Sequence, residues 1–151
     1  DEGNPKKAFD KAITHSKKVA MSLSDLFCVE RHKSNFLELV KNRLDIIFAN
    51  EQEILSLINA KTFDEAISFS KEIKKNIIIT RGDKGAISIK GDKVEEVSAQ
   101  SNLKIKDLTG AGDLFAAGYL HGVINNFGIK ESLAKGTELS SKIIQKIGAR
   151  I

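Results

Sequence analysis

Apolar positions along this chain follow two alternating periods. Continuous short runs, the mark of a strand buried on both faces, fall at Val19-Ala20-Met21-Ser22-Leu23, at Asp45-Ile46-Ile47-Phe48-Ala49 and at Asn76-Ile77-Ile78-Ile79-Thr80. Between them the spacing becomes helical. Pro5 suits a first helical turn, with Asn4 as its cap and Ala8, Phe9, Ala12 and Ile13 on one side. A second helix carries Phe36, Leu37, Leu39 and Val40, a third covers residues 51–58, and Thr62 caps a fourth over 63–75 with Ala66, Ile67 and Phe69 facing inward. Beyond Gly85 the period becomes two, in Ala86-Ile87-Ser88-Ile89-Lys90 and Lys93-Val94-Glu95-Glu96-Val97, with Gly91-Asp92 as turn residues, so a hairpin is expected. Two helices close the chain, from about Gly112 to Asn126 and from Ile129 or Lys130 to Ile147. Helices alternating with continuous apolar strands predict an α/β fold: a mostly parallel sheet, helices on both faces and a β-hairpin at one side.

Composition narrows the classes. The length of 151 residues favours one domain, and 41% hydrophobic with 29% charged residues is ordinary for a globular protein. The formal charge of +4 is mild, Trp is absent and Tyr119 is the only Tyr, so no nucleic-acid partner is expected. No apolar run reaches the roughly 20 residues of a membrane span, so no membrane partner and no leader are expected. One cysteine, Cys28, forms neither an internal disulfide nor a Cys-based zinc site, which fits a reducing, cytoplasmic setting. The chain opens Asp1-Glu2-Gly3-Asn4-Pro5, with its only methionine at Met21, and a piece of a longer polypeptide is expected.

Ligands of open parallel sheets sit at the carboxyl ends of the strands. Three such ends carry suggestive residues: Asn50 to Glu53, Thr80 to Gly85, and Asp107 to Asp113 just before a helix. In the last, Gly110, Ala111 and Gly112 leave the backbone bare, so their amides can converge on an anion where the helix dipole also favours negative charge. Asp113, in that first turn, is stabilised as a carboxylate able to take a proton. A phosphate cradle with an embedded base suggests phosphoryl transfer to a hydroxyl; the alternative is a plain glycine-rich loop with an acidic helix start. Asn50 and Glu53 have a competing reading too, as the reciprocal cap of the helix at Glu51, and Gly82 and Gly85 as turn glycines. Asp25 either faces a substrate or ends its strand. No G-x-x-x-x-G-K-[ST] occurs, and Gly110-Ala111-Gly112 lacks the acidic ribose partner of a dinucleotide site.

The run DLTGAGDLFAAGYL (Asp107 to Leu120) resembles the C-terminal signature of the PfkB/ribokinase family of carbohydrate and nucleoside kinases, NEQE its N-x-x-E motif, and TRGDKGA its nucleotide-binding strand and loop. The likeness spans essentially all 151 residues, and SLSDLFCVERHK and IIQKIGAR look most like an adenosine-kinase-like branch. Leu108 departs from the usual signature residue. The resemblance implies a ribokinase-like fold, ATP as phosphoryl donor and a small sugar or nucleoside as acceptor. Asp113 then matches the catalytic base, and Gly110, Ala111 and Gly112 the anion hole. Asn50 and Glu53 match the motif that organises Mg²⁺ through water, while Thr80, Gly82 and Gly85 match positions lining the nucleotide. Asp107 matches a K⁺ ligand of potassium-activated members, with the backbone near Gly148 beside it. A non-catalytic nucleotide-binding module of the same fold is the alternative, and a dinucleotide-binding oxidoreductase domain a third reading. Family members are about twice this length. Residues 1–151 are therefore expected to be the nucleotide-binding C-terminal part of one kinase domain, inactive alone and prone to self-association once the substrate-binding N-terminal half is missing.

Overall fold

The computed structural model describes residues 5–150. Five strands form one sheet in the order β1 (Ala20–Ser22), β2 (Ile46–Asn50), β3 (Asn76–Thr80), β4 (Ala86–Lys90), β5 (Lys93–Val97). The first three are mutually parallel, and β4 and β5 add an antiparallel hairpin on the far side of β3. The helices are α1 (Pro5–His15), α2 (Leu26–Arg31), α3 (Lys33–Asn42), α4 (Glu51–Ile58), α5 (Phe63–Ile73), α6 (Ala111–Ile124) and α7 (Ile129–Ile143). This is the α/β arrangement that the two periods predict. The Asn4 cap lies outside the described residues, as does the side-chain packing of Ala8.

Alternation along the strands divides the core in two. Ile47, Ala49, Ile77, Ile79, Ile87 and Ile89 point to one face, where they pack with Val29, Val40, Ile54, Leu57 and Ala66 of α2–α5. Ile46, Phe48, Ile78 and Ala86 point to the other, against Phe115 and Tyr119 of α6 and Leu133 of α7. Each fully buried Ile or Leu contributes about 1.5–3 kcal/mol by leaving water. Polar side chains between the sheet and α6 are linked: Ser88 donates to Asn76 Oδ1 at 2.9 Å, and Asn76 Nδ2 donates to the Tyr119 hydroxyl at 2.9 Å. Tyr119 also meets Phe48 edge-on, with ring centroids 5.6 Å apart. That chain of contacts fastens α6 to the sheet. Helices α6 and α7 approach almost backbone to backbone, since a Cβ on Gly118 would lie 2.7 Å from Lys135 O and one on Gly136 2.8 Å from Phe115 O.

The expected helix over 63–75 ends at Ile73 and the one expected to Asn126 ends at Ile124, and three larger differences from the sequence expectation bear on the fold. The buried strand expected over 19–23 is the three-residue edge strand β1, with Ala20 and Ser22 exposed. An edge strand has one neighbour, so apolar content overstated it. Helix α2 went unforeseen, because Asp25, read as a strand end or a substrate-facing residue, is the cap of a short helix and accepts the Cys28 amide at 2.8 Å. Helix α7 stops at Ile143 rather than Ile147. Past that point the Ile144 carbonyl turns to accept the amides of Lys106, at 2.8 Å, and Asp107, at 3.3 Å. Among the described residues no helix is long and apolar enough to cross a membrane.

Candidate functional site

Register brings the strand ends to one edge. Asn50 pairs with Thr80, Thr80 with Ala86, and Ala86 with Val97, so β2, β3 and β5 all finish side by side. From Val97 the chain runs without regular structure until α6, whose N-terminus therefore opens at this same edge.

The start of α6 is built by three interlocking turns. Asp107 Oδ1 accepts the Thr109 hydroxyl at 2.7 Å and the Thr109 amide at 2.9 Å. Its Oδ2 accepts the Gly148 amide at 2.9 Å, closing a link across 41 residues. The Thr109 hydroxyl, then the Thr109 and Gly148 amides, hold the Asp107 carboxyl below the usual carboxylate range. Gly110 is the N-cap residue at φ +78°, a left-handed conformation that glycine adopts without penalty, and it offers no capping side chain. The Ala111 amide bonds Leu108 O at 3.1 Å and the Leu114 amide bonds Gly110 O at 2.9 Å. Of the residues expected to form the cradle, Ala111 thus has its amide occupied. The amides of Gly110, Gly112 and Asp113 donate to no acceptor among the described residues, as the first turn of a helix without a side-chain cap requires. A Cβ on Gly112 would meet nothing within 4 Å, and the Asp113 side chain is exposed.

Of these residues Gly112 lines a cavity of about 680 Å³, while Gly110 and Asp113, close to it in the chain, do not line the cavity. Thr80, Gly82 and Gly85 line it from the β3 end, Ala111, Gly112 and Phe115 from α6, and Thr137, Ser140, Ser141 and Ile144 from α7. The segment from Ala99 to Leu103, with Ile105 and Leu108, forms the remaining wall. The volume suits a small organic ligand, mostly apolar with a polar end. Gly85 is also required by packing, because a Cβ there would sit 2.0 Å from Val97 O. Leu108, whose departure from the signature drew no role, lines the cavity at 65% exposure. The contribution of Ser140, Ser141 and Ile144 and of residues 99–103 is not legible in the sequence, since no local pattern marks residues that meet only through the fold.

Asn50 and Glu53 sit at the neighbouring strand end and do not line that cavity. They form the reciprocal cap: the Glu53 amide donates to Asn50 Oδ1 at 2.8 Å, while the Asn50 amide and Nδ2 donate to Glu53 Oε2 at 2.9 Å and Oε1 at 2.7 Å. Glu53 is only 4% exposed. Burial pushes its carboxyl above the usual range, the Asn50 amide opposes that, and the Asp25 charge adds to it. Arg81 is anchored rather than free: Nε bonds Glu51 Oε2 at 2.9 Å, and its guanidinium lies 3.8 Å from the Phe63 ring centroid. No group of three His, Cys, Asp or Glu side chains that could hold a metal occurs among the described residues.

Comparison with known proteins bears on the family and the fold. The chain is 30% identical over 118 residues to a cytidine kinase of Thermococcus kodakarensis, covering 77% of this chain and 42% of that protein. The crystal structure of adenosine kinase from Sinorhizobium meliloti superposes with a TM-score of 0.92 at 36% identity, over 97% of this chain and 46% of the other. A probable sugar kinase from Rhizobium etli superposes at 0.88, again 36% identical, over 95% and 44%. The chain spans less than half the length of each. The family model described as pfkB family carbohydrate kinase matches residues 5–151, and with the open helix start, the paired strand ends and the shared fold it places this chain in the pfkB family.

Proposed function

We propose that this chain is the nucleotide-binding part of a kinase that moves the terminal phosphoryl group of ATP to a hydroxyl of a sugar or nucleoside. The observation that carries the reading is the start of α6, where the amides of Gly110, Gly112 and Asp113 lack protein acceptors and Gly112 lines the cavity. Backbone N–H groups so placed, at the positive end of a helix dipole, bind a phosphate without reorganising. Thr80, Gly82 and Gly85 would flank the nucleotide, and the Gly110–Gly112 turn would hold the charge of the group in transfer. Asp113 would take the proton of the attacking hydroxyl, which bonds phosphorus as the bond to the departing ADP oxygen breaks.

Mg²⁺ fits the Asn50–Glu53 pair through water. A carboxylate has about four acceptor sites and Asn50 occupies two, so ordered water can link Glu53 to the ion in the way Mg²⁺ prefers. Bound there, Mg²⁺ would neutralise phosphate charge. K⁺ fits less well. Three donors already converge on the two Asp107 oxygens, and no step is assigned to that ion.

Titration with ATP–Mg²⁺ against NAD tests the donor, with ATP binding and NAD ignored. Assay of the full-length protein on a panel of sugars and nucleosides tests the reaction, and the 151-residue chain alone should transfer nothing. Positioning of the acceptor supplies roughly 7–11 kcal/mol of a barrier, enough to silence an intact phosphate site when it is lost. Preferential NAD binding, or sugar phosphorylation by the 151 residues alone, would reject the reading. The outer edge of β1 and the 63%-exposed Phe27 also support self-association of this chain, which light scattering reporting a monomer would refute.

A further inference from the structure

The mild positive charge of the chain is not spread evenly. Residues 98–113 and 134–150 carry Lys104, Lys106, Lys135, Lys142, Lys146 and Arg150 against Asp107, Asp113 and Glu138, a net of +3 out of the whole chain's +4. Within this group several charges are already spoken for. Lys135 and Lys142 both bond Glu138, whose carboxyl the Lys142 and Lys135 ammonium groups hold down to about 2. Asp107 is closed by Thr109 and Gly148. That leaves Lys104, Lys106, Lys146 and Arg150, all exposed and in no ion pair among the described residues, against two open carboxylates, Asp113 in the same segments and Asp83 on the cavity wall.

The fold holds these four together. The Lys106 amide bonds Ile144 O at 2.8 Å, and the Gly148 amide bonds Asp107 Oδ2 at 2.9 Å, so the segment bearing Lys104 and Lys106 is stitched to the one bearing Lys146 and Arg150. Residues between and beside them, Ile105, Leu108 and Ile144, line the cavity. The free cations are therefore borne by the chain segments that flank an apolar cleft whose lining includes Gly112 with its open amide. Four open cations against Asp83 and Asp113 leave a positive surplus beside the cleft, and a surplus of one sign there raises the encounter rate of an oppositely charged ligand, by about tenfold or more where low-dielectric walls focus the field.

We infer that Lys104, Lys106, Lys146 and Arg150 form a capture rim that steers the polyphosphate of a nucleoside triphosphate onto the α6 N-terminus. The inference rests on the kinase reading and extends it from where the nucleotide binds to how it arrives. The rim acts on approach and not in the bound state: its side chains are exposed, while the bound phosphate is held by the amides. Its signature is an association rate that depends on salt and a dissociation rate that does not.

Stopped-flow binding of a fluorescent ATP analogue with Mg²⁺ to the full chain tests this. Measurements at ~0.02 M and ~0.5 M salt shorten the screening length from roughly 20 Å to roughly 4 Å. With Lys104, Lys106, Lys146 and Arg150 all replaced by Gln, association at low salt should slow about tenfold, dissociation should change by less than about twofold, and the gap should close at high salt. A control replaces Lys17, Lys18, Lys41 and Lys71 by Gln. These lead into β1, β2 and β3 at the opposite end of the sheet and remove the same net charge. An equal slowing in the control would overturn the inference, since total charge and not its placement would then act. If the rim variant does not fold, the parent decides: salt should slow association most for ATP, less for ADP and least for AMP, and no such order would overturn the inference. A parent that binds ATP at salt-insensitive rates would remove the rim alone, whereas a parent that binds no nucleotide would remove the kinase reading with it.

Discussion

Two helices of this protein begin at the same edge of the sheet, and they begin in opposite ways. At α4 the side chains close the end: Asn50 takes the Glu53 amide, Glu53 takes the Asn50 amide, and the carboxylate is buried. At α6 the cap is Gly110, which has no side chain to offer, and the amides of Gly112 and Asp113 stay open, with Gly112 lining a cavity. A helix end satisfied from within is a structural joint. One left unsatisfied, held in place by the Asp107–Gly148 clamp, is a receptor for whatever anion completes it.

The largest effect that would sharpen this contrast is catalytic. Replacing Asp113 by Asn in the full-length protein should lower kcat by about 10²–10⁴ with nucleotide affinity kept, the range for losing a general base. Stability should stay within about 0.5 kcal/mol, because the side chain is exposed. Turnover near normal would take Asp113 out of the mechanism.

At the closed end substitution should cost stability as well as any activity that depends on Mg²⁺. Glu53→Ala strips a buried acceptor from the Asn50 amide and side chain and should cost about 1–3 kcal/mol of stability. Asn50→Ala should cost about 1 kcal/mol, the usual value of a side-chain cap. Urea denaturation measures both, and an unchanged midpoint in both would mean that the reciprocal cap does not hold α4.

Gly112→Ala tests the open end without touching charge. Its Cβ would meet nothing within 4 Å, so stability should be unchanged or up by less than about 1 kcal/mol, Ala being the better helix former. The methyl would enter the cavity mouth, so ATP affinity should fall. Affinity equal to the parent's by calorimetry would separate Gly112 from the phosphate.

The smallest effect is in pH. The Glu53 carboxyl is raised by burial, so the folded state holds its proton more tightly than the unfolded one. Its share of stability is present below its usual 4.5 and is lost as pH rises through the raised value. Asp107 is lowered by Thr109 and Gly148, so its share is present above its usual 3.8 and is lost as pH falls through the depressed value. Glu53→Gln should therefore flatten the fall of stability above 4.5, and Asp107→Asn the loss below 3.8. The same slope in parent and variants would contradict both assignments.

Much of this was legible because it is local. The runs at Ile46–Ala49 and Ile77–Ile79, the hairpin about Gly91-Asp92, the cap at Thr62 and the glycines before Asp113 each follow from a few neighbouring residues, whose period and turn chemistry act before anything else folds. At Asn50 and Glu53 the sequence admitted two readings, a cap and a metal-organising motif, and the observed geometry is that of a cap with acceptor sites to spare. What the chain alone did not disclose depends on partners distant in sequence. The edge position of β1 follows from its having β2 as its one neighbour, and the stop of α7 from Ile144 turning to Lys106 and Asp107. The cavity wall made by Thr137, Ser140 and Ile144 is created by the close approach that Gly118 and Gly136 permit. Sequence by itself determined most of the elements, α2 excepted, and the glycine-rich start of α6, since backbone preference and side-chain size are properties of single residues. Tertiary structure decided which amides remain open, what cavity they face and where the free cations gather, because each of those is a relation between segments that only packing brings together.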